Sequence, residues 1–131
     1  MKKMVGIVLI SHSKKIVEGI QELAAQMAHG VPVALAGGTD DNRLGTDVNK
    51  ITQAIQSVYS EDGVLVFFDM GSAYMNAQMA LEFLEEDSSK VEIVDAAFVE
   101  GAITAIVDSG LKKSMDEIKT DIASMKLGKM P

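Results

Sequence analysis

The stretch Val5-Gly6-Ile7-Val8-Leu9-Ile10-Ser11-His12-Ser13 decides the fold. Its apolar run has no polar break, the pattern of a strand covered on both faces. At Ser13 the period changes. Ile16, Ile20, Leu23, Ala24 and Met27 recur at helical spacing. Gly30, after His29, marks a helix C-terminus.

The same alternation continues outward. Residues 31–36 read as a second strand, and Gly37 to Gly45 form a polar loop. Thr46 is the expected N-cap of a helix with Val48, Ile51, Ile55 and Val58 on one face. Asp62-Gly63 punctuates, and Val64-Leu65-Val66-Phe67-Phe68 is a third buried strand. Asp69-Met70-Gly71-Ser72 turns into a helix that faces Ala73, Ala77, Ala80, Leu81 and Leu84 inward. Residues 91–94 form a fourth strand, 99–107 a well-covered apolar helix, and Met115, Ile118, Ile122 and Met125 a final amphipathic one. Strand and helix in alternation predict an α/β fold: one open, mainly parallel four-stranded sheet with helices on both faces. Right-handed crossovers favour the flavodoxin-like order 2-1-3-4. The 131 residues are expected to form one domain, 1–131.

Composition removes several function classes. Without cysteine there is no disulfide, thiolate metal site or cysteine nucleophile. Two histidines with no paired spacing predict no metal site. A net charge of −7 with no basic patch argues against nucleic acid, and 5% aromatic residues leave little for base stacking. The apolar run after Met1 to Met4, with Lys2 and Lys3, is too short for a membrane span and lacks a cleavage signal. The expected location is the cytoplasm, away from membranes. Nine methionines are expected mainly as core filling. Neither a P-loop nor a dinucleotide fingerprint is present, so a reactive histidine would receive phosphate from another protein.

In the 2-1-3-4 order, winding reverses between strands 1 and 3, and ligands bind at that crevice. It brings His12 and Asp69 to neighbouring loops. A carboxylate beside an imidazole fixes its tautomer and leaves the other nitrogen free to attack. Phosphoryl transfer then requires positioning and stabilised oxygens. Backbone N–H groups of Ser13, Gly71 and Ser72 are candidate phosphate donors, and Gly37-Gly38-Thr39 a third lip. Each has a plainer reading. His12 can be a satisfied loop residue, Asp69 a helix cap, Gly71 a tight turn, and Gly37 and Gly38 turn formers. His29 reads as structural, at a helix C-terminus.

Five motifs taken in order resemble the DhaM family: residues 8–13, Gly37-Gly38-Thr39-Asp40-Asp41, Leu44-Gly45-Thr46-Asp47, Asp69-Met70-Gly71-Ser72-Ala73 and Val99-Glu100-Gly101. These are phosphotransferase subunits of phosphoenolpyruvate-dependent dihydroxyacetone kinases, akin to mannose-type EIIA domains of the phosphotransferase system (PTS). The resemblance implies phosphorylation of His12, with Asp69 hydrogen-bonded to it. It also implies phosphate supplied by HPr and passed to ADP on a separate subunit, DhaL. DhaL phosphorylates dihydroxyacetone held on DhaK. ADP/ATP and Mg are then expected on DhaL, with no cofactor bound by this chain, and the family resemblance implies a homodimer. Ending at Pro131 without HPr-like segments, the chain is expected to use a free-standing HPr. A mannose-type sugar PTS component, passing phosphate to a IIB domain, is the alternative. Met70-Gly71-Ser72-Ala73 lacks the aromatic residue and extra Gly of that branch. A non-catalytic binding or regulatory module is the third reading. Met70, Met75 and the 39–46 loop are candidates for a docking face.

Overall fold

The computed structural model describes residues 4–130; Lys2 and Lys3 lie outside them. The strands are β1 (Gly6–Ser11), β2 (Val33–Gly37), β3 (Val64–Phe68) and β4 (Val91–Val94). They form one sheet in the order β2-β1-β3-β4, and every neighbouring pair is parallel. The helices are α1 (Lys14–Ala24), α2 (Val48–Val58), α3 (Gly71–Glu82), α4 (Phe98–Gly110) and α5 (Met115–Ile122). Short 3₁₀ turns cover Ser88–Lys90 and Ala123–Met125. The fold class and strand order are those read from the sequence.

Alternation along the strands sends side chains to two apolar layers. Ile7, Leu9, Leu65 and Phe67 pack with α1, α4 and α5 residues such as Val17, Ile20, Ala105 and Ile118. Val8, Ile10, Val66 and Phe68 pack with Ile51 and Ile55 of α2 and Ala73, Ala77 and Ala80 of α3. The alanine row lets α3 lie close to the sheet.

Three local readings are corrected. The buried face of α1 is Val17, Ile20 and Ala24, whereas Ile16 and Leu23 are 46% and 50% exposed. Two apolar stripes share Ile20, and the sheet selects the one rotated by a residue. α1 also ends at Ala24, well before Gly30. Second, Asp47, rather than Thr46, caps α2, accepting from Lys50 N at 2.8 Å. The Thr46 hydroxyl instead accepts from the Asn76 amide on α3 and ties the 37–47 loop to that helix. Third, among the described residues no methionine belongs to the fully buried core. Met115, Met125 and Met130 pack at its margins, while Met27, Met70, Met75 and Met79 are exposed. Val, Ile, Leu, Phe and Ala side chains fill the interior, and the thioethers lie at its margin or outside it.

Candidate functional site

The site lies where winding reverses, at the carboxyl ends of β1 and β3. These strands pair from Gly6↔Val64 to Ile10↔Phe68, and Asp69 N donates to Ile10 O at 3.2 Å. That register brings the residues after each strand together. Asp69 Oδ2 accepts from Ser11 Oγ and from His12 N, each at 2.9 Å. Asp69 Oδ1 accepts from Met70 N at 2.7 Å and lies 3.0 Å from His12 Nδ1. The other ring nitrogen, Nε2, is 2.7 Å from Ser72 Oγ in the first turn of α3.

Burial pushes the Asp69 carboxyl up, but the bonds from His12 N, the His12 ring, Ser11 and Met70 outweigh it and hold it below the ordinary carboxylate range. An ionised carboxylate only accepts, so Nδ1 carries the proton that it donates to Asp69. In the neutral ring Nε2 then holds a free electron pair and accepts from the Ser72 hydroxyl. The His12 and Asp69 side chains are 24% and 14% exposed, enough to reach a partner yet shielded from full solvent screening.

Asp69 has no capping role in α3: the N-cap is Met70, with no side-chain cap bond. Of its two sequence readings, the imidazole contact is the one observed. Ser13 N is already committed to Ser11 Oγ at 3.0 Å, and Ser13 Oγ caps α1 at Ile16 N. Gly38 N donates to Ser11 O, and Thr39 N to Arg43 O, so the loop uses these amides internally. A Cβ on Gly37 would fall 2.5 Å from Val17 Cγ2 and 2.8 Å from Lys14 Cα. Gly37 thus allows α1 to start against the end of β2. Gly71 and Ser72 open α3, where first-turn amides have no intrahelical acceptor. His29 is exposed in the 25–32 segment between α1 and β2, at the opposite end of the sheet from His12.

Sequence reading missed three contributors. Ser11 braces Asp69 and the turn at Ser13. Lys50 Nζ binds Gly37 O, Thr39 O and Asn42 Oδ1 at 2.9–3.2 Å and gathers the loop. Lys129 Nζ donates to Phe68 O, next to Asp69, at 2.7 Å. Only Ser11 had a sequence signal, its place in the quoted strand end. Lys14, Lys15 and Arg43 border a cleft of about 540 Å³ beside the His12 turn. Met70 and Met75 are 54% and 63% exposed, so helix packing does not account for Met75. Among the described residues, no group of three or more His, Asp or Glu is placed to hold a metal ion, and no helix is long and apolar enough to cross a membrane.

The structure is a parallel α/β sheet with a carboxylate-braced imidazole at its switch point. Residues 6–119 match the family model EIIA-man, described as the PTS system fructose IIA component. The chain is 40% identical to the phosphoryl donor subunit DhaM of PEP-dependent dihydroxyacetone kinase 2 from Listeria innocua, over 93% of this chain and 99% of that one. It is 30% identical to the phosphotransferase subunit DhaM of the PTS-dependent dihydroxyacetone kinase of Lactococcus lactis, over 95% and 98%. The Escherichia coli DhaM is 42% identical over 90% of this chain, which spans only 26% of that longer protein. A crystal structure of a protein of unknown function superposes with a TM-score of 0.84 at 32% identity, covering 98% of both chains. The chain belongs to the EIIA-man family and, within it, to the DhaM phosphoryl donor subunits of dihydroxyacetone kinase.

Proposed function

We propose that this protein is a phosphoryl carrier that accepts phosphate from phospho-HPr on His12 Nε2 and passes it to ADP bound to DhaL. DhaL then phosphorylates dihydroxyacetone held on DhaK. One observation carries this reading: Nδ1 faces Asp69 Oδ1 at 3.0 Å, while Nε2 points outward to Ser72 Oγ at 2.7 Å.

In the first step the Nε2 electron pair forms a bond to phosphorus. The donor's P–N bond breaks, and its pair returns to the donor imidazole. Phospho-His12 keeps its proton on Nδ1, hydrogen-bonded to the ionised Asp69, which balances the positive charge that the ring gains. The Ser72 hydroxyl, released from Nε2, donates to a phosphoryl oxygen, and the Gly71 and Ser72 amides at the start of α3 complete the cradle. In the second step an oxygen of the ADP β-phosphate attacks phosphorus, and the P–Nε2 bond breaks back to the ring. Nucleotide and Mg belong to DhaL in this scheme, and both reactions take place in the cytoplasm. Ser13, Gly37, Gly38 and Thr39 shape the surrounding wall rather than donate to phosphate. The cleft at Lys14, Lys15, Glu18 and Arg43, the last ion-paired with Asp41, forms with Met70 and Met75 the rim on which partners dock in turn. The working unit is a homodimer.

Reconstitution tests this. The protein is mixed with radiolabelled phosphoenolpyruvate, enzyme I and HPr, and acid-labile phosphate is measured. DhaL–ADP or a IIB domain is then added. Labelling is expected on wild type and His29→Ala but not on His12→Ala, with DhaL–ADP discharging it. Discharge by IIB alone would assign the protein to sugar transport, and absence of labelling would reject the carrier reading.

A further inference from the structure

The segment that follows α5 runs back over the carboxyl ends of the strands. Ala97 N donates to Met125 O at 2.9 Å, which anchors its start. Asp95, just after β4, then accepts from Leu127 N at 3.1 Å on Oδ1 and from Lys129 N at 2.8 Å on Oδ2. Burial pushes the Asp95 carboxyl up, and the backbone amides of residues 127–130 more than offset this. Met130 packs into the apolar layer beneath α2 and α3. A Cβ on Gly71 would lie 3.5 Å from Lys129 O, so the segment passes against the first turn of α3.

Held in this way, Lys129 reaches the end of β3. Its ammonium donates to Phe68 O at 2.7 Å and stands 4.7 Å and 5.9 Å from the Phe68 and Phe98 ring centroids. A lysine that served only solubility would extend its head into water. Here burial draws the ammonium's pKa down, and the Asp95 and Asp69 carboxylates oppose that shift. Phe68 immediately precedes Asp69, so the cation fixes the carbonyl from which the Asp69 turn departs.

We propose that Lys129 is a positioning residue for phosphoryl acceptance: from the C-terminal segment it locks the Phe68 carbonyl and keeps the Asp69 carboxylate aimed at His12 Nδ1. This rests on the reading of His12 as the phosphoryl acceptor. Phosphorylation brings roughly −1.5 to −2 charge to the pocket. That charge favours protonation of Asp69, and a protonated Asp69 no longer balances the ring. The Lys129 ammonium, in electrostatic reach of Asp69, opposes the change.

Lys129→Met keeps the stem and its packing on the aromatic rings but removes the charge; Lys129→Arg restores it. Two quantities are measured: the carbon-13 titration of the Asp69 carboxyl, and the initial rate of His12 labelling from phosphoenolpyruvate, enzyme I and HPr. In Lys129→Met, Asp69 is expected to titrate at higher pH, and labelling to slow about tenfold because the Asp69 turn no longer holds the ring in place. Lys129→Arg returns both to near wild type. Unchanged titration and rate in Lys129→Met, with wild type labelled normally, would overturn the proposal. If wild type itself takes no label, the carrier reading fails, and the titration alone decides whether Lys129 governs Asp69. Should Lys129→Met unfold, Lys129→Gln supplies the same two readouts.

Discussion

Asp69 holds His12 at two points, the ring through Nδ1 at 3.0 Å and the backbone through N at 2.9 Å. The first contact sets the tautomer and the second fixes the turn on which the ring is mounted. A substitution at Asp69 therefore alters chemistry and loop geometry together, and the two effects separate by choice of side chain and pH.

Asp69→Asn keeps the shape and removes the charge. Labelling of His12 is expected to fall on the order of a hundredfold, because the charge that fixes the tautomer and balances the ring is gone. Because the folded carboxyl is held low, its stabilising effect is present above the unfolded carboxylate pKa, about 3.9, and is lost as pH falls through the folded value. Urea unfolding should show wild type more stable than Asp69→Asn at pH 7, with the gap closing below about pH 4.

Ser72→Ala removes the hydroxyl that faces Nε2 at 2.7 Å. A hydrogen bond of this kind contributes about 1 kcal/mol, so the labelling rate should drop about fivefold. Stability should be nearly unchanged, because the site is open to water that replaces the hydroxyl. Initial-rate labelling and a thermal melt on the same sample check both.

Gly37→Ala probes packing rather than chemistry. The added methyl would meet Lys14 Cα and Val17 Cγ2 inside contact distance. Overpacking of this sort costs roughly 1–3 kcal/mol. It should displace the start of α1 from β2, lowering the urea midpoint and slowing His12 labelling. Gly19→Ala, whose Cβ has nothing within 4 Å, is the control.

A second titration lies away from the site. Burial, and then the neighbouring Asp121, raise the Asp108 carboxyl to about 6, against the attraction of Lys113. The folded state thus binds this proton more tightly than the unfolded chain does. Asp108 then costs stability at pH above 6, and the cost disappears as pH falls from 6 towards 4. Asp108→Asn is expected to raise the melting temperature at pH 8 and to lose that advantage near pH 4.

The fold was legible because β1, β2 and β3 are mainly apolar runs, β4 is broken only by Glu92, and helical periods lie between them. The pairing of His12 with Asp69 was legible for the same reason, since the order 2-1-3-4 dictates which loops meet. Where two local solutions cost nearly the same, sequence did not decide. α1 offers two overlapping stripes, and Thr46 and Asp47 are both good caps, so tertiary contacts with the sheet and with Asn76 chose between them. The donors at Ser13, Gly38 and Thr39 carry no mark showing that the loop itself consumes them. Lys129 was invisible for a different reason: nothing local reveals that a carboxylate after β4 draws the chain end across the sheet.

Every strand pair in this sheet is parallel, so each contact between strands waits on a long crossover. The imidazole and its carboxylate stand 57 positions apart and meet only after β1 and β3 have zipped together. Opening of the central strands β1 and β3 separates that couple, so its geometry depends on the integrity of the sheet rather than on any local segment.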